Sequence, residues 1–148
     1  MNNVDIFSAT NEKKMPSWAK FEKAGDVIQG TYVGKITGTI DGFGNAQIIY
    51  QLLKGGEVFN VAFGENKKVI HQDMAKTKFG QIVGFKFKGK LQVKNKAGKL
   101  VEVKDFGLYA DPKIVDSEWL KENADNMPTA THVNTEFAQE KSAANQEF

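Results

Sequence analysis

The chain has 148 residues, of which 41% are hydrophobic, with no cysteine and a formal net charge of +2 at pH 7. That supply of apolar side chains fills one core of ordinary size and not two. The absence of thiols excludes a disulfide framework, a thiolate zinc site and a cysteine nucleophile, and no apolar run approaches the roughly 20 residues of a membrane helix. The opening "MNNVDIFSATNEKKMPSW" lacks the basic-then-apolar order of a secretory signal, so a cytoplasmic location without a membrane partner is expected.

The small net charge conceals an uneven distribution. Residues 54 to 104 hold twelve lysines against four acids, whereas residues 111 to 148 hold three lysines against eight acids. A basic middle followed by an acidic tail points to an anionic partner and to a tail that competes for the same surface or recruits proteins. All 20 basic residues are lysine. Lysine is a point charge that follows a phosphate backbone, while reading of guanine edges favours the planar fork of arginine, so binding without sequence preference is expected.

In chain order, residues 1 to 24 read as an N-terminal arm, with Trp18 and Phe21 packing on the domain edge. "VIQGTYVGKITGTI" is rich in β-branched residues and interrupted by Gly30, Gly34 and Gly38, which predicts a long, strongly curved first strand. The turn "DGFGN" leads to a second strand, "AQIIYQLL", and "KGGE" to a third, "VFNVAF". Val69, Ile70, Met74 and Ala75 are spaced for one short helix. In "IVGFKFKG", Val83, Phe85 and Phe87 point one way and Lys86 and Lys88 the other, as in a half-buried fourth strand. "NKAGK" turns the chain into a fifth, "LVEVKDFGLYA", expected to stop at Asp111-Pro112. Residues 113 to 123 contain a short helix capped by Asp116 or Ser117, and residues 124 to 148 read as an acidic, disordered tail.

Three strands, a helix and two strands within residues 25 to 112 give an all-β domain with one short helix in the order of a five-stranded OB-fold barrel, flanked by flexible termini and the short C-terminal helix. Catalysis has little support. His71 and His132 are isolated, no metal-ligand spacing occurs, and "GKITGTIDGFG" lacks the ending and following helix of a phosphate loop, so no cofactor or metal is expected.

Binding has more support, because single strands are held by a cationic groove with aromatic faces for stacking. In an OB barrel that groove crosses strands two and three and is flanked by the loops joining strands one to two and four to five. The candidate residues are accordingly Phe43 between two glycines, Tyr32, Tyr50 and Phe59 for stacking, and Lys35, Lys54, Lys86, Lys88, Lys90, Lys94, Lys96 and Lys99 for phosphates. If Ile48, Tyr50 and Leu52 are core, Gln47, Ile49 and Gln51 face the groove.

The stretch from "KFEKAGDVIQGTYVG" through "FGQIVGFKFKGK" to "DFGLYADPKIVD" resembles the OB-fold single-stranded DNA-binding proteins of bacteriophages over roughly residues 18 to 115. The resemblance lies in element order and texture. It implies sequence-independent coating and protection of single-stranded DNA in replication or recombination, in a host cytoplasm. It also implies a C-terminus that docks replication or recombination proteins, and the terminal Glu147-Phe148 is similar to the acidic-then-phenylalanine tip of bacterial relatives. RNA remains an alternative ligand. The competing class is a protein-interaction or virion structural module whose lysines only keep its surface soluble.

Overall fold

The computed structural model describes residues 15–133. It is mostly β, with strands β1 (Ser17–Trp18), β2 (Val27–Ile40), β3 (Ala46–Lys54), β4 (Glu57–Gly64), β5 (Gln81–Lys94), β6 (Leu100–Val115) and β7 (Thr131–His132). Helices α1 (Lys68–Ala75) and α2 (Ser117–Glu122) lie between β4 and β5 and between β6 and β7. All seven strands form one mixed sheet in the order β1-β4-β3-β2-β5-β6, with β7 added to β2. Among the described residues no helix is long and apolar enough to cross a membrane.

The five strands read from the sequence are present, but the sheet has seven and is not closed into a barrel. The outermost long strands, β4 and β6, share no ladder. They meet instead through side chains, with the Phe63 and Phe106 rings edge-on at 5.0 Å. Residues 17–24, part of the stretch 1–24 expected as a loose arm, occupy the seam together with Gly25 and Asp26. Ser17 and Trp18 pair in parallel with Phe59 and Asn60 of β4. Phe21 then packs edge-on against Phe106 at 5.1 Å, and the Gly25 amide donates to the Phe87 carbonyl at 2.7 Å. A free sheet edge leaves backbone groups unpaired, and this arm satisfies part of the β4 edge.

β2 is shared by both halves of the sheet. Val27–Thr31 pair with β5, and Thr31–Ile40 pair with β3 with register shifts between Tyr32 and Gly34 and between Ile36 and Thr39. A Cβ at Gly30 would stand 2.6 Å from the Leu53 carbonyl oxygen, so this close approach of two strands requires glycine. Where β5 departs, the edge of β2 is taken by β7, with Ile36 and Thr37 opposite Thr131 and His132. Part of the stretch expected as disordered, up to Val133, is therefore built into the sheet. Gly38 makes that docking feasible: its φ is +79°, and a Cβ there would lie 2.0 Å from the Val133 carbonyl oxygen.

The core is formed by Ile28, Tyr32, Tyr50, Leu52, Val61, Phe63, Ile70, Met74, Val83 and Phe85. The inward set Val83, Phe85 and Phe87 follows the two-residue period expected of a strand. His71 of α1 ties helix to sheet: its Nδ1 lies 2.6 Å from the Tyr50 hydroxyl and its Nε2 2.7 Å from the Gly64 carbonyl. A carbonyl only accepts, so the neutral ring carries its proton on Nε2 and accepts from Tyr50 at Nδ1. Burial pushes the Tyr50 phenol up to about 12.

β6 runs through Pro112 to Val115, beyond the expected stop. Gln81 pairs with Val115 and Val83 with Ala110, so Pro112 falls in a register shift where no ladder donor is needed. Asp116 then caps α2, its carboxylate accepting from the Trp119 amide at 3.0 Å and from the Thr31 hydroxyl at 2.6 Å. The Thr31 bond, then the helix amide, holds this carboxyl below the ordinary carboxylate value. A depressed carboxylate contributes stability above its unfolded value and loses it as the pH falls through the folded one. Asp116→Ala should therefore lower stability by about 1 to 2 kcal/mol near neutral pH. In urea denaturation curves the gap from wild type should narrow as the pH falls below 3.8.

Candidate nucleic-acid interface

Two hairpin turns with one internal architecture present the exposed residues. In Asp41–Asn45 the Asp41 Oδ1 accepts from the amides of Phe43 at 2.8 Å and Asn45 at 2.9 Å. In Asn95–Lys99 the Asn95 Oδ1 accepts from Ala97 at 3.0 Å and Lys99 at 2.9 Å. Each turn also has a glycine at its fourth position with positive φ, Gly44 at 83° and Gly98 at 77°. An Asx side chain bonded forward to the backbone with a left-handed glycine closing the loop is a stable hairpin connection. The amide of Asn45 is the main cause that keeps the Asp41 carboxyl below its ordinary value. Phe43 at the turn's centre is 91% exposed, where the other turn has Ala97. Nothing in the turn geometry requires an aromatic ring there.

The expected lysines fall on two faces. Lys86 pairs with Val27 on one side and Gly107 on the other, and its side chain is on the outer face of β5, opposite to the inward Phe85 and Phe87. A register shift between Phe87 and Gly89 inserts an extra residue at Lys88. Beyond it the parity is reversed: Lys90 pairs with Lys104, two residues from Phe106, and so lies on the face of Phe87 and Phe106. Lys104 accordingly places its ammonium 5.9 Å from the centroid of the Phe87 ring. The same shift turns Leu91 and Val93, 50% and 40% exposed, to the face of Lys86. Lys94 ends β5, and Lys96 and Lys99 lie in the turn. Lys90 makes an ion pair with Glu102 at 3.1 Å, the one salt bridge among the described residues.

Three segments meet beside the hairpin base. The Glu65 amide donates to the Ala46 carbonyl at 3.0 Å, which joins the β4–α1 connection to the end of the β2–β3 turn. Lys67, at the start of α1, donates to the Lys104 carbonyl and stands 5.9 Å over the Phe106 ring. The recess of about 490 Å³ between the turn and the connection is lined by Asp41, Asn45 and Glu65, and its acidic character suits no phosphate.

The stacking candidates on the strands do not share this exposure. Tyr32 and Tyr50 are 2% and 0% exposed, their rings 6.1 Å apart within the core, and neither offers a face to a base. Burial raises the Tyr32 phenol as well. Phe59 is half-buried and packs on the core cluster. Lys35, opposite Tyr50, lines a separate groove with Tyr32, Phe79, Leu120, Met127 and Ala130, and Lys54 sits at the β3–β4 hairpin opposite Glu57. Glu147 and Phe148 lie outside the described residues.

With Tyr50 and Leu52 inside, Gln47, Ile49 and Gln51 face outward as the alternation requires, although Ile49 is buried and Gln51 donates to Asn60 at 3.0 Å. Trp18 pairs with Asn60 and is half exposed, which extends this outer row to the N-terminal arm. Trp18 sits at the domain edge as expected, whereas Lys67, Lys104 and Tyr109 are residues that the sequence pattern did not single out. The local signal for Tyr109 is its place in "FGLYA", two residues after a glycine on the same strand face. Among the described residues no cluster of three histidine or carboxylate side chains could hold a metal ion.

No family model matches this chain, and no curated protein or solved structure is significantly similar to it. If Phe43 is a contact residue and not a structural one, Phe43→Ala should leave the thermal midpoint within about 2 °C while weakening single-strand binding. Its effect should be about 5- to 150-fold, the worth of one stacked base, in an equilibrium titration with oligo-dT.

Proposed function

We propose that this protein is a non-catalytic OB-type module that binds single-stranded DNA without sequence preference and protects it during replication or recombination of a phage type. The observation that carries the reading is the surplus of positive charge on β5, β6 and their turn. Among the described residues no carboxylate lies within salt-bridge distance of Lys86, Lys88, Lys94, Lys96, Lys99 or Lys104, and Phe43 and Tyr109 are exposed aromatic rings on the same molecule. Unneutralised ammonium groups beside aromatic faces are what a polyanion with stackable bases requires.

The strand order supports the OB reading. Without the short terminal strands the sheet runs β4-β3-β2-β5-β6 with α1 between β4 and β5. This is the succession of an OB sheet opened along the seam between its third and fifth strands, and OB barrels are partly open. The Phe63–Phe106 contact and the arm at residues 17–26 lie along that seam.

A second reading, a protein-interaction or virion module, draws on Leu91, Val93 and Leu100, apolar side chains exposed on the β5–β6 hairpin. The two readings separate on charge. Lys86, Lys88, Lys94 and Lys96 changed together to glutamate should abolish measurable binding to an oligo-dT strand at moderate salt and leave the fold intact by circular dichroism.

For the wild type, log affinity should fall linearly with log salt at about −0.7 per phosphate neutralised, with duplex of equal length bound more weakly. An absence of binding to oligo-dT, duplex and RNA at low salt would sink the nucleic-acid reading. Residues 124–133 carry chain that docks on β2, so the competing role of the acidic tail is tested by removing residues 134–148 alone. Tighter binding at low salt is expected, and unchanged affinity would remove the tail from the mechanism.

A further inference from the structure

The outer face of β5 and β6 holds an exposed ring that neither turn uses. Tyr109 lies opposite Gly84 in mid-strand and is 54% exposed. Its ring extends along β6 toward Gly107, the preceding residue on that face: a Cβ added at Gly107 would stand 3.1 Å from the Tyr109 Cε2 and 3.3 Å from its hydroxyl oxygen. The same Cβ would stand 2.8 Å from Cε of Lys88. The phenol thus lies over bare backbone, leaving its other side to solvent, and the Lys88 stem runs beside it. Lys86 pairs with Gly107 and Gln29 with Gly84, so both side chains leave the sheet at positions neighbouring the ring. A groove of about 440 Å³ continues from it past Gln29, Ile82 and Ile114. Asp111 also lines this groove, with its Oδ1 accepting the Lys113 amide at 2.9 Å.

We propose that Tyr109, Lys86 and Lys88 form a base-stacking subsite for single-stranded nucleic acid on the outer face of β5 and β6, separate from the β2–β3 turn. It rests on the single-strand reading above and adds a second contact area to it. The base lies on the free face of Tyr109, and the two ammonium groups take the flanking phosphates. The Gln29 amide offers both a donor and an acceptor, so it meets the edge of any base without selecting one. Charge complementarity commits the face to a polyanion: among the described residues neither lysine has a carboxylate partner. The rival is a structural ring that only shields the Gly84 and Gly107 backbone, as aromatic residues do across from glycine in sheets.

The test compares Tyr109→Ala and Tyr109→Phe on an oligo-dT strand and on an abasic phosphodiester chain of equal length, with thermal melts of each variant. Stacking predicts that alanine weakens dT binding by about 5- to 150-fold, leaves abasic affinity and the salt slope unchanged, and that phenylalanine behaves as wild type. A wild type that binds dT with an alanine variant equally tight overturns the subsite and leaves the single-strand reading on the turns and hairpin. A wild type that binds no dT overturns both. Should the alanine variant not fold, photo-cross-linking of the wild type to a 5-iodouracil strand decides. An adduct on Tyr109 in the tryptic peptide from Asp105 to Lys113 supports the subsite, and its absence from a cross-linked complex overturns it.

Discussion

One strand in two sheet halves is the constraint on which the rest of the structure depends. β2 is bonded to β5 over its first five residues and to β3 over most of its length, so it must bend between the two directions. Two register shifts and closely approached glycines allow the bend, because a side chain at Gly30 would collide with the Leu53 carbonyl. The bend also leaves part of the β2 edge unpaired after β5 departs. Unpaired backbone is costly when it is shielded from water, and β7 takes that edge. The core forms on the concave side of the same bend, where Tyr32, Tyr50 and Phe85 meet.

The polar content of that core is held by exact pairings of donors with acceptors. Tyr50 and His71 satisfy each other and the Gly64 carbonyl, while Thr31 spends its hydroxyl on Asp116. Among the described residues no buried side-chain nitrogen or oxygen lacks a partner. These pairings fix both helices to the sheet, since His71 belongs to the first helix and Asp116 caps the second. A histidine that looks isolated in the sequence is thereby a helix-to-sheet tie, and a tyrosine that looks like a stacking ring is its buried partner.

The basic surface obeys a separate logic. A single extra residue at Lys88 sends the lysines of one strand to two faces: Lys86 remains outside beside Tyr109, while Lys90 joins Lys104 over the aromatic seam of Phe87 and Phe106. The positive charge therefore wraps the hairpin and does not line a single trough. A flexible polyanion can follow such a surface because its backbone bends around side chains, whereas a stiff duplex presents fixed phosphate spacing. The all-lysine composition fits contacts of this kind, which need charge more than directional forks.

The elements and their order were legible in the sequence because each depends on local pattern. Val83, Phe85 and Phe87 alternate with lysines, Gly-flanked turns separate the runs, and Asp116 precedes a helical segment. Phe43 was legible too, since a ring between glycines has no neighbours to pack on. By itself, the sequence determined an all-β chain with two short helices, the inward face of β5 and a basic middle. Tertiary structure decided which of the aromatic residues are core, because parity relates Tyr50 to Leu52 without saying which face is covered. It decided the faces of Lys90, Leu91 and Val93, because a bulge changes parity without leaving a motif. The seating of the N-terminal arm on β4 and of Thr131–His132 on β2 was also decided there. Those contacts join residues far apart in the chain, and what selects them is the backbone left unpaired once the other strands have formed.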